Sequence, residues 1–292
     1  MNEGHIDAGG VRLHYLEWVS DDGAASAPPL FLLHGLSSNA YYWQRMVRHL
    51  PGRRIVALDQ RGHGLSDRPA AGYAMSNLID DATKAIVELG LTHPIVVGHS
   101  WGAAVALELV AAKQDLVGGL VFVDGPVMSM AHVLSWDQAQ VVMQPPLPRF
   151  RSLDDARAES VGDFKDAWGE DLEPFVKARV TADGDALVLT LTAPVRLEII
   201  RSLYYGQPDL LWPRLTVPTS VLLAAAGPSM ISSWKRKAAA QMAELAPAVD
   251  VRWYDTPHDV PLYKPAEVAA DVERVSSLAS AASATSEPPS GN

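Results

Sequence analysis

The sequence predicts an α/β fold built on a mostly parallel sheet with helical crossovers. Three observations predict it: wholly apolar runs of strand length, segments of helical period between them, and a regular alternation of the two through the first 125 residues. The length of 292 residues is about twice the usual domain size, yet α/β folds often use such a length as one domain.

Residues 11–19 (VRLHYLEWV) mix apolar and polar side chains with β-branched and aromatic types, as in a half-exposed strand. A loop rich in Asp, Gly, Ala, Ser and Pro follows at residues 20–29. Residues 30–33 (LFLL) form a short apolar run ending at His34-Gly35, which reads as a buried parallel strand. Residues 41–50 have helical spacing and stop at Pro51-Gly52, and residues 54–58 form the next strand, ending at Asp59. Residues 77–89 place Leu78, Ala82, Ala85, Ile86 and Leu89 on one helical face, with Gly90 as a stop. A strand at 94–97, a helix at 101–112 and a strand at 120–123 complete the alternation, which breaks at Pro126. After it come a Met-, Trp- and Pro-rich stretch, an acidic run at 154–173 that reads as a solvated face, and half of a hairpin at 181–190. A strand at 217–226, a helix at 234–245, a last strand at 249–254 and a closing helix at 265–280 follow. The expected organisation is one core of residues 1–125 and 213–280, an insertion at 126–212, and a flexible tail at 281–292.

Composition narrows the function. Hydrophobic residues at 48% and charged residues at 20% describe a globular core and exclude a disordered chain. A net charge of −10 with no extended Lys/Arg cluster argues against nucleic acid. No apolar run reaches membrane-span length, and residues 1–10 do not read as a signal peptide, so a cytoplasmic location is expected. The absence of cysteine excludes disulfides, thiolate metal sites and a Cys nucleophile. The expected partner is a small molecule.

In parallel sheets ligands bind outside the carboxyl ends of the strands, which singles out His34-Gly35, Asp59, Ser100 and Asp124. Gly98-His99-Ser100-Trp101-Gly102 matches G-x-S-x-G, a pattern that arises by chance in roughly one chain in ten of this length. Here it follows an apolar strand and opens an apolar helix, the strand–turn–helix setting of a nucleophile elbow. The glycines let strand and helix approach, and a strained turn lifts the hydroxyl above the sheet. The other reading is a Gly/Ser turn without chemistry. A serine nucleophile needs a base, and only His132 and His258 lie downstream of it. His132 falls in the insertion, whereas His258 follows the last strand, where its alternative is a plain surface loop. Asp124 ends the strand after the elbow helix. The loop after the next strand carries no carboxylate, and Asp255 and Asp259 are too near His258 in sequence to orient its ring. Asp124 is therefore the candidate acid, with a turn role beside Gly125-Pro126 as the alternative.

Together these residues resemble the α/β-hydrolase family over nearly the whole chain. His34-Gly35 resembles its oxyanion-loop motif, Asp59-Gln60-Arg61-Gly62-His63-Gly64-Leu65-Ser66 its D-x-R-G-x-G-x-S segment, Ser100 its nucleophile and His258 its terminal histidine. The resemblance implies an α/β-hydrolase fold, with an eight-stranded, mostly parallel sheet and a cap (126–212) inserted after the sixth strand. It also implies a backbone oxyanion hole from Leu36 and Trp101. His63 and His99 are expected to hold turns. Two features depart from the common pattern. Gly227-Pro228-Ser229-Met230 lacks the Asp of the usual G-x-x-D acid loop, and an acid at Asp124 is instead similar to one subgroup of haloalkane dehalogenases and to zearalenone-type lactonases. Trp101 also resembles the dehalogenases, but those enzymes and family epoxide hydrolases use a carboxylate nucleophile that serine does not replace.

The implied chemistry is hydrolysis of a small, neutral, fairly hydrophobic ester or lactone through an acyl-enzyme on Ser100, with His258 as base, Asp124 as its orienter and no metal or cofactor. Met128, Trp136, Tyr204 and Tyr205 are the expected apolar lining of a cap chamber, against the alternative that they pack on one another. The same triad also serves thioesters and carbon–carbon bonds, and some relatives of this fold act as small-molecule receptors.

Overall fold

The computed structural model describes residues 1–19, 27–227 and 229–286. Most of the loop expected at 20–29, Pro228 of the acid-loop pattern, and residues 287–292 of the expected tail lie outside the described residues. The strands and helices of the first half are β1 (Asn2–Asp7), β2 (Arg12–Trp18), β3 (Leu30–Leu33), α1 (Gln44–Val47), β4 (Ile55–Leu58), α2 (Met75–Glu88), β5 (Ile95–His99), α3 (Trp101–Ala112) and β6 (Gly119–Val123). The inserted segment holds α4 (Trp136–Met143), β7 (Arg149–Phe150), α5 (Leu153–Phe164), α6 (Glu173–Arg179), β8 (Val180–Asp183), β9 (Ala186–Leu189) and α7 (Ala193–Tyr205). The chain then closes with β10 (Thr219–Ala224), α8 (Ser229–Leu245), β11 (Asp250–Tyr254), α9 (Val260–Tyr263) and α10 (Pro265–Ser286).

Eight strands form one sheet in the order β1-β2-β4-β3-β5-β6-β10-β11, antiparallel at the β1–β2–β4 edge and parallel elsewhere. The central strands are buried on both faces: every residue of β3, β4, β5 and β6 is inaccessible or nearly so. This explains their unbroken apolar runs. The outermost β1 is different. Its residues are mostly exposed, with Ile6 alone buried, so its sequence NEGHID carries little strand signal and the N-terminus reads as merely polar. Residues 41–50, expected to be helical, hold a 3-10 turn (Ala40–Trp43) running into α1, which ends at Val47. The closing helix runs six residues past 280, to Ser286, so residues 281–286 of the expected tail are helical. That run is rich in alanine, the strongest helix former.

Between β6 and β10 the inserted segment carries its own antiparallel sheet, in the order β7-β9-β8. Residues 181–190, expected as half of a hairpin, hold nearly all of a whole one, β8 and β9, turning through Gly184 at φ +64°. The acidic run at 154–173 is only partly a solvated face. Asp171 is held by both nitrogens of the Arg45 fork (2.8 and 2.7 Å), and Glu173 pairs with Arg157. Asn39 Nδ2 donates to Phe175 O at 2.9 Å and Tyr263 OH to Phe164 O at 2.8 Å, fastening α5 and α6 to the core.

The elbow demonstrates the close approach its glycines permit. A Cβ on Gly102 would run into the carbonyl oxygens of Leu33 and His34, and one on Gly98 into Gly102 O. These are backbone atoms of buried elements, which cannot step aside. Gly102→Ala is therefore expected to destabilise the fold by at least about 1–3 kcal/mol and to impair catalysis. A urea-denaturation midpoint equal to that of the unmodified protein would contradict this reading.

Candidate active site

Ser100 sits between β5 and α3 with φ +55° and ψ −117°, in the region that favours glycine. Such a conformation costs a non-glycine residue of order 1–3 kcal/mol and persists only where its surroundings enforce it. Here the Ser100 N–H donates to Val123 O of β6 (2.8 Å), and Ser100 O accepts from Ala103 N (3.1 Å).

The hydroxyl donates to His258 Nε2 at 2.8 Å, and His258 Nδ1 is 2.7 Å from Asp124 Oδ2. An ionised carboxylate only accepts, so the imidazole proton lies on Nδ1 and leaves Nε2 free to take the serine proton. The structure thus brings together three residues far apart in the chain. Asp124 also has a left-handed backbone, φ +45°, and its N–H continues the sheet by donating to Leu222 O (2.8 Å). Its Oδ1 accepts from Ala224 N at 2.8 Å. Burial pushes the Asp124 carboxyl up, but the hydrogen bond and charge of His258, together with Lys235, more than offset this and hold it below the ordinary carboxylate value. Burial of the imidazole's polar edge pulls His258 down, while Asp124 raises it further, leaving it above the ordinary 6.5. With about half of the side chain open to the cleft, the upward direction prevails.

Lys235 is the residue the sequence reading missed. Its ammonium donates to both Asp124 oxygens (2.7 and 2.9 Å) and to Ala224 O (3.1 Å). It comes from α8, directly after the loop whose pattern lacks the usual Asp. The only local signal is a lysine in a helix that follows a strand end. Because Lys235 lowers the His258 pKa, Lys235→Met should move the acid limb of a kcat/KM–pH profile to higher pH. In the unmodified protein the limb should already lie above pH 6.5, since only neutral His258 accepts a proton. A limb that stays in place on substitution would show Lys235 to be mere packing.

Contrary to expectation, His99 does not hold its own turn but bridges to the histidine loop: its Nε2–H donates to His258 O at 3.1 Å. It stacks on Tyr42 (centroids 4.8 Å apart). Burial, then the neighbouring His258, pushes its pKa down to about 4, so it stays neutral. His63 does hold its turn, donating from Nδ1 to Arg61 O (3.0 Å). His132 is exposed, in a 3-10 turn of the insertion.

The loop after β3 packs directly on the elbow. A Cβ on Gly35 would lie 3.1 Å from Ser100 Cβ. Ser38 N donates to Gly35 O (3.2 Å), closing a turn with Ser37 at φ +59°. Leu36 therefore lies beside Ser100, while Trp101 is the first residue of α3, where a backbone N–H has no intrahelical acceptor. The Trp101 side chain points elsewhere: it is buried and stacks on His63 at 5.0 Å. His34 is tied to Gln60 twice, through Gln60 N to His34 Nε2 (3.1 Å) and Gln60 Nε2 to His34 O (2.8 Å). Asp59, fully buried, accepts from Ala40 N (2.6 Å) and Leu65 N (2.9 Å) and pairs with His14 (2.7 Å). The D-x-R-G-x-G-x-S segment is thus a brace beneath the oxyanion-type loop.

Ser100 and His258 open onto a cleft of about 540 Å³ between the core and the inserted segment. Its walls differ from expectation. Met128, Trp136, Tyr204 and Tyr205 do not line it. Met128 is buried in the core, Trp136 packs edge-on to Tyr204 (5.3 Å) and stacks near Tyr205 (6.1 Å), and Tyr205 is largely exposed. The cause is that α4 and α7 satisfy their aromatic faces against each other. The cleft is bounded instead by Pro145–Pro148, Phe164, Phe175, Leu189 and the charged Glu159, Asp163, Arg179 and Arg196.

A family model described as alpha/beta hydrolase fold matches residues 28–176. The chain belongs to the α/β-hydrolase family. Among curated relatives, this α/β-hydrolase is 36% identical over 120 residues to 2-(acetamidomethylene)succinate hydrolase of Mesorhizobium japonicum, covering 41% of each chain. It is 34% identical over 133 residues to epoxide hydrolase 3 of Mus musculus, covering 44% of this chain and 35% of that one. The match thus spans about two fifths of the length of these relatives or less. The crystal structure of E-2-(acetamidomethylene)succinate hydrolase superposes with a TM-score of 0.79 over 94% of this chain and 98% of that chain, at 23% identity, a likeness of fold. Among the described residues, no helix is long and apolar enough to cross a membrane.

Proposed function

We propose that this α/β-hydrolase is a serine hydrolase that cleaves a carboxylic ester or lactone through an acyl-enzyme on Ser100. The observation that carries this reading is the unbroken hydrogen-bond chain Ser100–His258–Asp124 opening onto a cleft. Ser100 Oγ attacks the carbonyl carbon as His258 Nε2 takes its proton, and Asp124 stabilises the resulting imidazolium. The backbone N–H groups of Leu36 and Trp101 receive the oxyanion. His258 then protonates the leaving group and activates water to release the acid. The inserted segment 126–212 acts as the cap that shapes the cleft.

The likeness to epoxide hydrolases does not extend this chemistry to epoxides. Serine attack on an epoxide carbon gives an ether, which water does not cleave, whereas a carboxylate nucleophile gives a hydrolysable ester. The test is a ladder of 4-nitrophenyl esters from acetate to decanoate. Multiple turnover with a chain-length optimum is expected. Stoichiometric ligand binding without turnover would favour a receptor, and selective turnover of thioesters or carbon–carbon bonds would relocate the reaction on the same triad.

A further inference from the structure

Four charged residues of the inserted segment line the cleft, and three of them form one cluster, a single arginine facing two carboxylates. Arg179 pairs with Glu159 (3.2 Å) and sits 3.9 Å from Asp163. Asp259, contributed by the histidine loop, accepts from Tyr42 OH at 3.2 Å. Arg196 differs: its Nε–H donates to Met143 O (2.9 Å) and its Nη1 to Ser37 Oγ (2.5 Å), and among the described residues it has no carboxylate partner. A guanidinium offers five N–H donors, so these two protein acceptors leave three for other partners, on a residue that lines the cleft. Burying a cation without a counter-charge is costly, and burial followed by the repulsion of Arg179 pulls the Arg196 pKa down. Ser37, which Arg196 grips, follows Leu36, whose N–H faces the reacting carbonyl on the reading above. A counter-charge brought by the substrate would lie on the side of the cleft where Arg196 meets Ser37, in the loop that packs on Ser100.

We propose that Arg196 is the anchor for a carboxylate on the substrate, so that the acyl compound cleaved at Ser100 is an acid rather than the neutral ester expected from the sequence. This rests on the acyl-enzyme reading. The apolar wall of Leu147, Phe164, Phe175 and Leu189 takes the chain joining the two groups. The bland role for Arg196, bracing the Ser37 turn, uses only the donors already engaged.

The two roles separate in a ratio. Nitrophenolate release is measured from mono-4-nitrophenyl adipate and from its neutral methyl ester. The unmodified protein should prefer the acid in kcat/KM. Arg196→Gln should lower the acid-to-neutral ratio about 10- to 100-fold, the effect of losing a charge-assisted bond, and Arg196→Lys should restore part of it. Equal rates on both esters before substitution, or a loss common to both that leaves the ratio unchanged, would overturn the proposal. If neither ester turns over, the acyl-enzyme reading fails separately. Calorimetric titration with adipate then still decides the anchor: binding that Arg196→Gln abolishes sustains it, and no binding, or equal binding by both proteins, overturns it. Thermal melts of both variants confirm that each is folded.

Discussion

Ser100→Ala is expected to reduce turnover of any accepted ester by about 10⁴–10⁶-fold while leaving the fold intact. Removing the hydroxyl deletes the nucleophile but no packing, because the Ser100 backbone is held by its own bonds to Val123 and Ala103. Alanine also relieves nothing at φ +55°, a conformation as unfavourable for it as for serine. The melting temperature should therefore stay within a few degrees. A variant that retains a tenth of the original rate would show that the reaction runs elsewhere.

Asp124→Asn should cost about 10⁴-fold in kcat, the penalty for turning an imidazole to the wrong tautomer. An amide places an N–H donor where the carboxylate accepts, and it faces two donors at once, His258 Nδ1–H and the Lys235 ammonium. With the amide oxygen turned to Lys235, the amide nitrogen meets Nδ1, and the ring answers by moving its proton to Nε2. That proton faces Ser100 and blocks its activation. The substitution also strands the Lys235 charge in a partly buried site, so stability should fall along with activity, unlike in Ser100→Ala. Steady-state rates and melting curves on the two variants read this difference, and full activity in Asp124→Asn would remove Asp124 from the mechanism.

The readable parts of this molecule are those whose causes are local in sequence. The strand ends and the elbow declare themselves because burial on both faces demands unbroken apolar runs and close approach demands Gly98 and Gly102. Asp124 is legible by position, as the carboxylate that ends β6, and by elimination, since the loop after the next strand has none. The cleft walls obey no such rule. Whether Trp136 and Tyr204 face the cleft or each other depends on how α4 meets α7, and an aromatic helix face is the same in either case. Arg196 and Lys235 read as ordinary surface cations of amphipathic helices, because what distinguishes them is a partner 159 or 111 residues away. Net charge and composition are properties of the whole molecule and say little about one guanidinium in a cleft.

A covalent acyl-enzyme on Ser100 can be trapped by rapid acid quench during turnover of a 4-nitrophenyl ester and located by peptide mass mapping. An added acyl mass is expected on the peptide containing Ser100, present in the unmodified protein and absent from Ser100→Ala. Continued turnover with the acyl mass on another residue would contradict it.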